Sequence, residues 1–302
     1  MSDQAKALRG LMEQRHSLSN RWTAPASSAT RLATSIAMTS GKGGVGKSHL
    51  ALNLAIQLAK TGSTVRLFDA NFGHGSPELL CGLNAYWNLR HVLVGARSLK
   101  EIMLEGPCGI QIVPGCGCLY DADEFPRNAL ESFSSQLKHF EQSDDFWIFD
   151  MGSGLSRAVR RIASQMDLAL VVSTPEPTSL ADAYATIKAM AATENPPEIE
   201  VIVNQVDDLS QADEIADRLQ RTVKTFLQTN LKIGGSVPKD PEVASATIDQ
   251  EPFSLASIQC PASLAVGRIS RRLRRLREGT SPRGRLCSYF NEQSEHALLV
   301  PS

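Results

Sequence analysis

The sequence predicts an α/β fold in which a mostly parallel β-sheet is flanked by helices on both faces. First, apolar segments rich in β-branched residues alternate with amphipathic segments from residue 33 onward. Such alternation is typical of parallel strands joined by helices. Second, the first apolar segment runs into a glycine-rich loop that a helical pattern follows at once. There is no internal repeat and no second core pattern, so we expect one domain over residues 33–278.

The strands and helices follow from these patterns in chain order. The predicted strands cover residues 34–40, 63–70, 109–115, 145–152, 167–175, 198–206 and 232–238. The predicted helices cover residues 47–60, 126–140, 155–165, 179–192, 212–227 and 262–278. Residues 71–108 have no clear period and are interpreted as a long irregular stretch.

The two ends of the chain differ from this domain in composition. Residues 1–20 predict a short helix with apolar residues on one face, and residues 21–32 read as a linker of small and polar residues. The basic segment 261–278 closes the domain, and residues 279–302 are expected to form a flexible tail. From Pro261 onward the chain carries eight Arg and three Glu, a net charge of +5 in a chain of net charge −1. A basic end on a mildly acidic body predicts a local contact with an anionic partner.

Composition excludes several classes of protein. Six cysteines in 302 residues are too few for a disulfide scaffold. Cys108, Cys116 and Cys118 lie close together, but no C-x-x-C pair or neighbouring His accompanies them, so reduced thiols are favoured over a metal site. The polar N-terminus has no apolar signal core, and no run of about 18 apolar residues occurs. We therefore expect a cytoplasmic protein.

The loop between the first strand and the first helix predicts a nucleotide site. It fits the pattern G-x-x-x-x-G-K-[ST] over Gly41, Lys42, Gly43, Gly44, Val45, Gly46, Lys47 and Ser48. Glycines allow backbone N–H groups to surround phosphate oxygens at the positive end of the following helix. We expect Lys47 to reach the β- and γ-phosphates and the Ser48 hydroxyl to bind Mg²⁺.

A second lysine in this loop, Lys42, lies too near its start to duplicate Lys47. With a lysine at both positions, the loop resembles that of the deviant Walker A ATPases of the MinD/ParA/NifH type. These ATPases belong to the SIMIBI class of P-loop NTPases. In that family, two subunits enclose two ATP molecules, and the outer lysine contacts the nucleotide of the partner. The resemblance implies that the ATP-bound form is a homodimer and that Lys42 acts across its interface. A solvated Lys42 without this role is the alternative.

The resemblance extends over nearly the whole domain. It implies that Asp150 and Asp69, at the ends of two strands, act with Ser48 at the magnesium ion, and that Gly152 approaches the γ-phosphate. It also implies that Asn204 contacts the adenine. The resemblance also places Pro238 and Asp240 in the second base-contact loop of that family.

Two segments resemble flagellar-number regulators of the FlhG/FleN (YlxH) type in particular. Residues 171–188 resemble the T-P-E-P-T-S segment of that group, and residues 3–9 resemble its D-Q-A-x-x-L-R motif. In that group the N-terminal motif docks on the SRP-type GTPase FlhF, and its glutamine stimulates GTP hydrolysis. The resemblance implies that Gln4 acts on such a GTPase, and that basal-body proteins are further partners. A frayed terminal helix without a partner is the alternative.

Two positions depart from the family pattern. Asn71 stands where the second aspartate of switch I is usual, and an amide cannot accept a proton at neutral pH. We expect weak, slow ATP hydrolysis, or none in the alternative of a non-hydrolysing ATP-binding scaffold. His74 is a candidate substitute, although a loop histidine is more often solvated. His49 replaces the usual Thr or Ser after Ser48, which weakens an expected contact with the α-phosphate.

The basic segment 261–278 leaves two interpretations open. Its apolar stripe fits either a helix that lies on an anionic membrane surface, on the inner face of the cell membrane, or a last core helix with a solvated arginine face. A MinD- or ParA-like ATPase that positions division sites or DNA is the rival function. DNA is not the partner we expect.

Overall fold

The sheet is built from segments close to those that the sequence predicts. The computed structural model describes residues 31–71, 77–115, 118–119, 125–153 and 156–296. Its strands are β1 (Thr34–Ser40), β2 (Val65–Ala70), β3 (Leu104–Glu105), β4 (Gln111–Val113), β5 (Phe146–Ser153), β6 (Leu168–Ser173), β7 (Glu198–Val206) and β8 (Lys232–Pro238).

The helices are of two kinds, long ones that cover the sheet and short ones within connections. They are α1 (Lys47–Lys60), α2 (Leu89–Leu93), α3 (Leu99–Ile102), α4 (Arg127–Glu141), α5 (Arg157–Ala163), α6 (Pro177–Ala191), α7 (Leu209–Leu227), α8 (Pro241–Ile248), α9 (Phe253–Ala256), α10 (Pro261–Gly279) and α11 (Arg285–His296). Short 3₁₀ turns lie at Leu79–Cys81 and Pro107–Gly109.

Within the described residues, the strands form one eight-stranded sheet in the order β3-β4-β2-β5-β1-β6-β7-β8. All neighbours are parallel except β3, which pairs antiparallel with β4. The predicted fold class is therefore confirmed. The described residues from Leu32 onward belong to a single compact unit.

Apolar side chains cover both faces of the sheet, as strands buried on both sides require. Alternate residues of β1 point to opposite faces, so Ile36 and Met38 join one cluster and Ala37 joins another. The first cluster packs under α1 and α10, and the second packs under α4 and α11. Helices α6 and α7 cover the edge near β7 and β8.

The basic helix α10 is a core helix. Its apolar stripe, which includes Ala265, Ile269 and Leu273, is buried against α1 and β8. Arg268, Arg271 and Arg275 recur on its exposed side. Of the two interpretations of segment 261–278, this packing matches the last core helix with a solvated arginine face.

The prediction of a flexible tail from residue 279 is wrong for residues 285–296, which form α11. Leu286 and Phe290 are buried there, and Phe290 meets the Phe133 ring of α4 edge-to-face with centroids 5.1 Å apart. The Ser134 hydroxyl donates to the Cys287 carbonyl at 2.8 Å. The apolar residues of α11 pack mainly against α4, a long-range contact that the local pattern does not reveal.

Within the part of the chain that the structure describes, no helix is both long enough and apolar enough to cross a membrane.

Candidate functional site

The candidate site lies at the carboxyl ends of the central strands, where open parallel sheets usually bind ligands. The loop 41–46 follows β1 directly and enters α1 at Lys47. Asp69 is the next-to-last residue of β2 and pairs in register with Asp150 of β5. The parallel register therefore brings both predicted acidic residues to the mouth of the loop.

Two glycines of the loop are required by its geometry. Gly46 has φ of 89°, a left-handed conformation, and a Cβ atom there would lie 2.5 Å from the Nδ2 atom of Asn204. A Cβ atom on Gly41 would lie 2.3 Å from the backbone oxygen of Asp182 in α6. Any side chain at either position would displace the loop, so its shape depends on glycine.

Helix α1 begins without a side-chain cap. Its N-cap residue is Gly46, no side chain bonds to its first N–H groups, and its first turn has no acidic residue. The first four N–H groups of a helix have no partner within the helix. In a 14-residue helix these donors give the loop the charge and hydrogen-bonding capacity that a phosphate needs.

Lys47 and Asp150 form the buried centre of the site. Lys47 is 6% exposed, and burial lowers the pKa of its ammonium group while the charge of Asp150 opposes this change. Asp150 is fully buried, and burial raises the pKa of its carboxyl to about 7, with Asp69 acting in the same direction. Both groups are therefore held in surroundings that penalise their charge.

The surroundings of Asp150 fit a bound cation. Among the described residues, neither carboxylate oxygen makes a well-formed hydrogen bond, although the Ser48 hydroxyl lies close enough to lower the pKa. Buried polar groups without partners are rare and are often explained by an ion or water. Carboxylate and hydroxyl oxygens are the ligands that Mg²⁺ prefers, so the donor set of Asp150, Asp69 and Ser48 suits this ion.

One acidic side chain near this centre was missed by the sequence analysis. Glu78 is buried, and its charge also raises the pKa of Asp150. Two residues further on, Leu80 lines a small cavity together with His49 and Asn53 of α1. Glu78 lies in the aperiodic stretch after β2, where no sequence signal indicates that it folds back over the loop.

The departure at switch I is visible at Asn71. Its backbone N–H donates to the Oδ1 atom of Asp69 at 3.0 Å, and its side chain is partly exposed. The alternative base His74 lies outside the described residues, as does Gln4 of the N-terminal motif. Gly152 lies at the end of β5 and is buried.

A second part of the site is a cavity of about 350 Å³ that adjoins the loop and the carboxyl ends of β7 and β8. Its lining includes the predicted residues Gly44, Gly46, His49, Asn204, Pro238 and Asp240. The Asn204 amide donates to the Val45 carbonyl at 2.8 Å, so it holds the loop as well as facing the cavity. Burial lowers the pKa of the His49 imidazole and so favours its neutral form.

The Asp240 carboxylate accepts hydrogen bonds from the first turns of two helices. Its carboxylate accepts from the N–H of Glu242 at 3.1 Å and from the N–H of Ala262 at 3.0 Å, which caps α8 and α10. Burial alone would raise the pKa of Asp240, but these hydrogen bonds outweigh it and lower the pKa. This residue therefore shapes the rim of the cavity through the backbone that it positions.

Lys42 lies outside this centre, as its place at the start of the loop predicts. Its ammonium group pairs with the Glu176 carboxylate and lies 3.4 Å from the Thr178 hydroxyl oxygen. Both partners begin helix α6, within the T-P-E-P-T-S segment. The side chains of Lys42 and Glu176 are 39% and 62% exposed, so a second chain can reach this pair.

The fold and the site define a nucleotide-binding P-loop protein of the deviant Walker A type. Residues 36–253 match the model of the CobQ/CobB/MinD/ParA nucleotide binding domain. This match covers more than half of the sequence, and the chain belongs to that family.

The relatives within the family confirm the resemblance to the FlhG/FleN group. The chain is 28% identical to the antiactivator FleN of Pseudomonas aeruginosa, over 86% of this chain and 93% of FleN. It is 33% identical to the flagellum site-determining protein YlxH of Helicobacter pylori, over 63% of this chain and 64% of YlxH. A solved MinC:MinD complex from Aquifex aeolicus is 27% identical, with a TM-score of 0.65, and the match covers 82% of this chain and 97% of the matched chain.

Proposed function

We propose that this protein is an ATP-dependent, MinD-like dimerising switch that regulates flagellar number or placement. The observation that carries the proposal is that the two lysines of one motif differ in burial. Lys47 is buried beside Asp150, whereas Lys42 is exposed at the surface. This difference suits Lys47 to bind the nucleotide of its own subunit and Lys42 to bind the nucleotide of a partner subunit. The names of FleN and YlxH support the flagellar role.

The nucleotide-binding residues have separate tasks in this proposal. The loop amides and Lys47 bind the phosphates of ATP, while Asn204, Pro238 and the backbone near Asp240 face the base. Ser48, Asp69 and Asp150 hold Mg²⁺, which neutralises phosphate charge when it is bound. Lys42 contacts the nucleotide of the second chain once it is released from Glu176.

Hydrolysis is slow in this proposal because Asn71 cannot act as a general base. Base catalysis contributes about 10²–10⁴-fold to rates of this kind. We expect Asn71→Asp to raise the rate of phosphate release by about 10-fold or more, measured with purified protein and Mg-ATP. An unchanged rate would mean that another group already serves as the base. No release from either protein would favour the non-hydrolysing scaffold.

The N-terminal segment is the part of the proposal that reaches a partner. Residues 1–20 stimulate an SRP-type, FlhF-like GTPase, and Gln4 orients the attacking water. The measurement is GTP hydrolysis by such a GTPase with a peptide of residues 1–20 and with a Gln4→Ala peptide. We expect stimulation by the first peptide and not by the second. Equal stimulation by both would remove the role of Gln4.

The proposal also assigns the protein a location in the cell. The protein works in the cytoplasm, near basal-body proteins, and meets the inner face of the cell membrane through the exposed arginines of α10. Because the apolar stripe of that helix is buried in the core, this contact is electrostatic. Co-sedimentation with vesicles of anionic lipid should therefore be lost at 0.5 M salt, about the ionic strength at which such contacts are screened.

The cellular role has a direct test. In a strain that lacks the gene, flagella are counted by electron microscopy after expression of wild type, Lys47→Ala or Lys138→Ala. Lys138 is an exposed lysine on α4 and serves as the matched control. We expect wild type and Lys138→Ala to restore the flagellar count and Lys47→Ala to fail. A normal count in the deletion strain would contradict the proposal.

The second candidate is an ATPase that positions division sites. It is favoured by similarity to the septum site-determining protein MinD of Bacillus subtilis, at 27% identity over 79% of this chain and 88% of MinD. Misplaced septa with normal flagella in the deletion strain would support this candidate. Salt-dependent binding to non-specific DNA would instead support a ParA-like role.

A further inference from the structure

The end of strand β7 has a backbone conformation that the strand itself does not explain. Gln205 has φ of 60°, in the left-handed region that non-glycine residues rarely adopt. The other described non-glycine residues with positive φ are Cys108, Gln228 and Gln250. Those three lie in a turn or just after a helix, where this conformation is common. Gln205 instead lies between two residues of a strand.

The conformation changes where consecutive side chains point. Successive residues of a regular strand face opposite sides of the sheet. Between Asn204 and Val206 the pairing of β7 with β8 shifts register, as in a β-bulge. Bulges re-aim side chains and are frequent beside active sites. As a result, Asn204 and Gln205 both line the 350 Å³ cavity that adjoins the loop.

Both amides also approach the same glycine of the loop. A Cβ atom on Gly46 would lie 2.5 Å from Nδ2 of Asn204 and 4.0 Å from Nε2 of Gln205. The two residues differ in what their amides do. Asn204 donates to the Val45 carbonyl and is 7% exposed, whereas Gln205 is exposed and also lines the cavity.

The rest of the cavity suits a flat aromatic base. Leu50, Val237 and Phe253 provide apolar lining, and Asn204, Gln205 and Asp240 provide polar groups. Glutamine and asparagine amides can donate and accept at once, which matches the neighbouring donor and acceptor on the edge of adenine. Strained residues that a structure retains are often found at ligand sites.

We propose that Gln205 contacts the adenine of the bound nucleotide and that β7 holds it in a left-handed conformation for this purpose. The inference rests on the proposed function, because it assigns a specificity-determining residue to the same nucleotide site. Asn204 then mainly positions the loop, and Gln205 adds affinity for the base. The strain at Gln205 lowers the stability of the unliganded chain.

The substitution Gln205→Gly separates these effects. Glycine adopts positive φ without a Cβ clash but lacks the amide, so stability and affinity should change in opposite directions. We expect an increase in Tm of about 2 °C without nucleotide. We expect the Kd for Mg-ATP to rise about 3- to 10-fold, as the loss of one hydrogen bond predicts. Inorganic tripolyphosphate has no base, and its Kd should not change.

Gln228→Gly is the matched control, because Gln228 is exposed, has φ of 53° and follows helix α7. It should raise Tm to a similar extent and leave the Kd for Mg-ATP unchanged. Calorimetric titration and thermal unfolding provide both readouts for the full chain. An unchanged Kd for Mg-ATP in Gln205→Gly, or equal losses for Mg-ATP and tripolyphosphate, would overturn the inference. In both cases wild type still binds Mg-ATP, so the proposed function stands. Absence of Mg-ATP binding by wild type would overturn both.

Discussion

Two acidic residues near opposite ends of strand β5, Asp144 and Asp150, have opposite surroundings. At the amino ends of the strands, the Asp144 carboxylate accepts from Arg66 Nε at 2.8 Å and from the Trp147 indole at 2.7 Å. At the carboxyl ends, the fully buried Asp150 has no well-formed hydrogen bond among the described residues. The first arrangement stabilises the chain by itself, whereas the second is completed by a ligand in the function that we propose.

Further contacts repeat this contrast. At the amino ends, Asp167 accepts from the N–H of Ser35 at 2.8 Å and from the N–H of Arg283 at 2.6 Å. At the carboxyl ends, helix α1 begins uncapped and Gln205 has a left-handed backbone. We infer that stability is concentrated at one end of the sheet and binding at the other. Substitutions at the two ends should then have different consequences.

The largest effect is expected for Asp144→Ala at the amino ends. It leaves the Arg66 guanidinium, whose side chain is 4% exposed, without its carboxylate partner. Breaking a buried ion pair costs about 3–5 kcal/mol of unfolding free energy. Urea unfolding measures the loss, and Asp213→Ala on the exposed side of α7 is the control. Nucleotide affinity of the folded fraction should not change, and a large loss of affinity would contradict the division between the two ends.

A gain in stability, on the order of 2 kcal/mol, is expected for Asp150→Asn in the unliganded protein at pH 8. Because the folded-state pKa is raised to about 7 from an ordinary value of 3.8, the wild type loses stability as pH rises through that interval. The asparagine variant lacks this loss, so its advantage should shrink toward pH 4. Urea unfolding at pH 5 and pH 8 measures the difference in unfolding free energy between the variant and wild type. The exposed Asp249→Asn is the control.

The same substitution should weaken the dependence of nucleotide binding on Mg²⁺, because a neutral amide is a poorer partner for the ion. A variant that is less stable than wild type at pH 8 would show that Asp150 is stabilised by the protein alone.

The smallest effect is expected for Glu176→Gln. The Lys42–Glu176 pair is largely exposed, and pairs of this kind contribute at most about 1 kcal/mol. Its removal should leave the unfolding free energy within about 0.5 kcal/mol of wild type. If the pair restrains Lys42 before ATP binds, the dissociation constant of the ATP-bound dimer should fall a few-fold. A rise in that constant would mean that Glu176 itself contributes to the interface.

The repeating pattern allowed much of the fold to be predicted. The predicted bounds of α1 and of β1, β7 and β8 agree with the structure, because each has a clear period and a glycine or proline signal. The short helices α2 and α3 were missed. Each is only a turn or so long and is held by a capping box at Asn88 or Ser98 rather than by a periodic apolar face. Helix α11 was missed because its stability comes from α4.

The site was predicted in part. The loop residues 41–48 belong to a motif with fixed spacing, so the sequence alone places them together. Asp150 lies about 100 residues further on and was assigned through the family resemblance. The contacts of Lys42 with Glu176 and of Asp240 with Ala262 join distant parts of the chain, and so does the effect of the Glu78 charge on the pKa of Asp150. The conformation of Gln205 depends on how β7 pairs with β8. None of these has a local signal, because only tertiary packing creates them.

The direct test of the switch is the mass of the protein in solution, measured by sedimentation with Mg-ATP or Mg-ADP. Wild type and the Lys42→Ala variant are compared, with Lys138→Ala as the exposed control. We expect wild type and Lys138→Ala to be dimers with Mg-ATP and monomers with Mg-ADP, and Lys42→Ala to bind Mg-ATP but stay monomeric. A wild type of the same mass with both nucleotides, or a Lys42→Ala variant that dimerises as wild type does, would contradict the proposed role of Lys42.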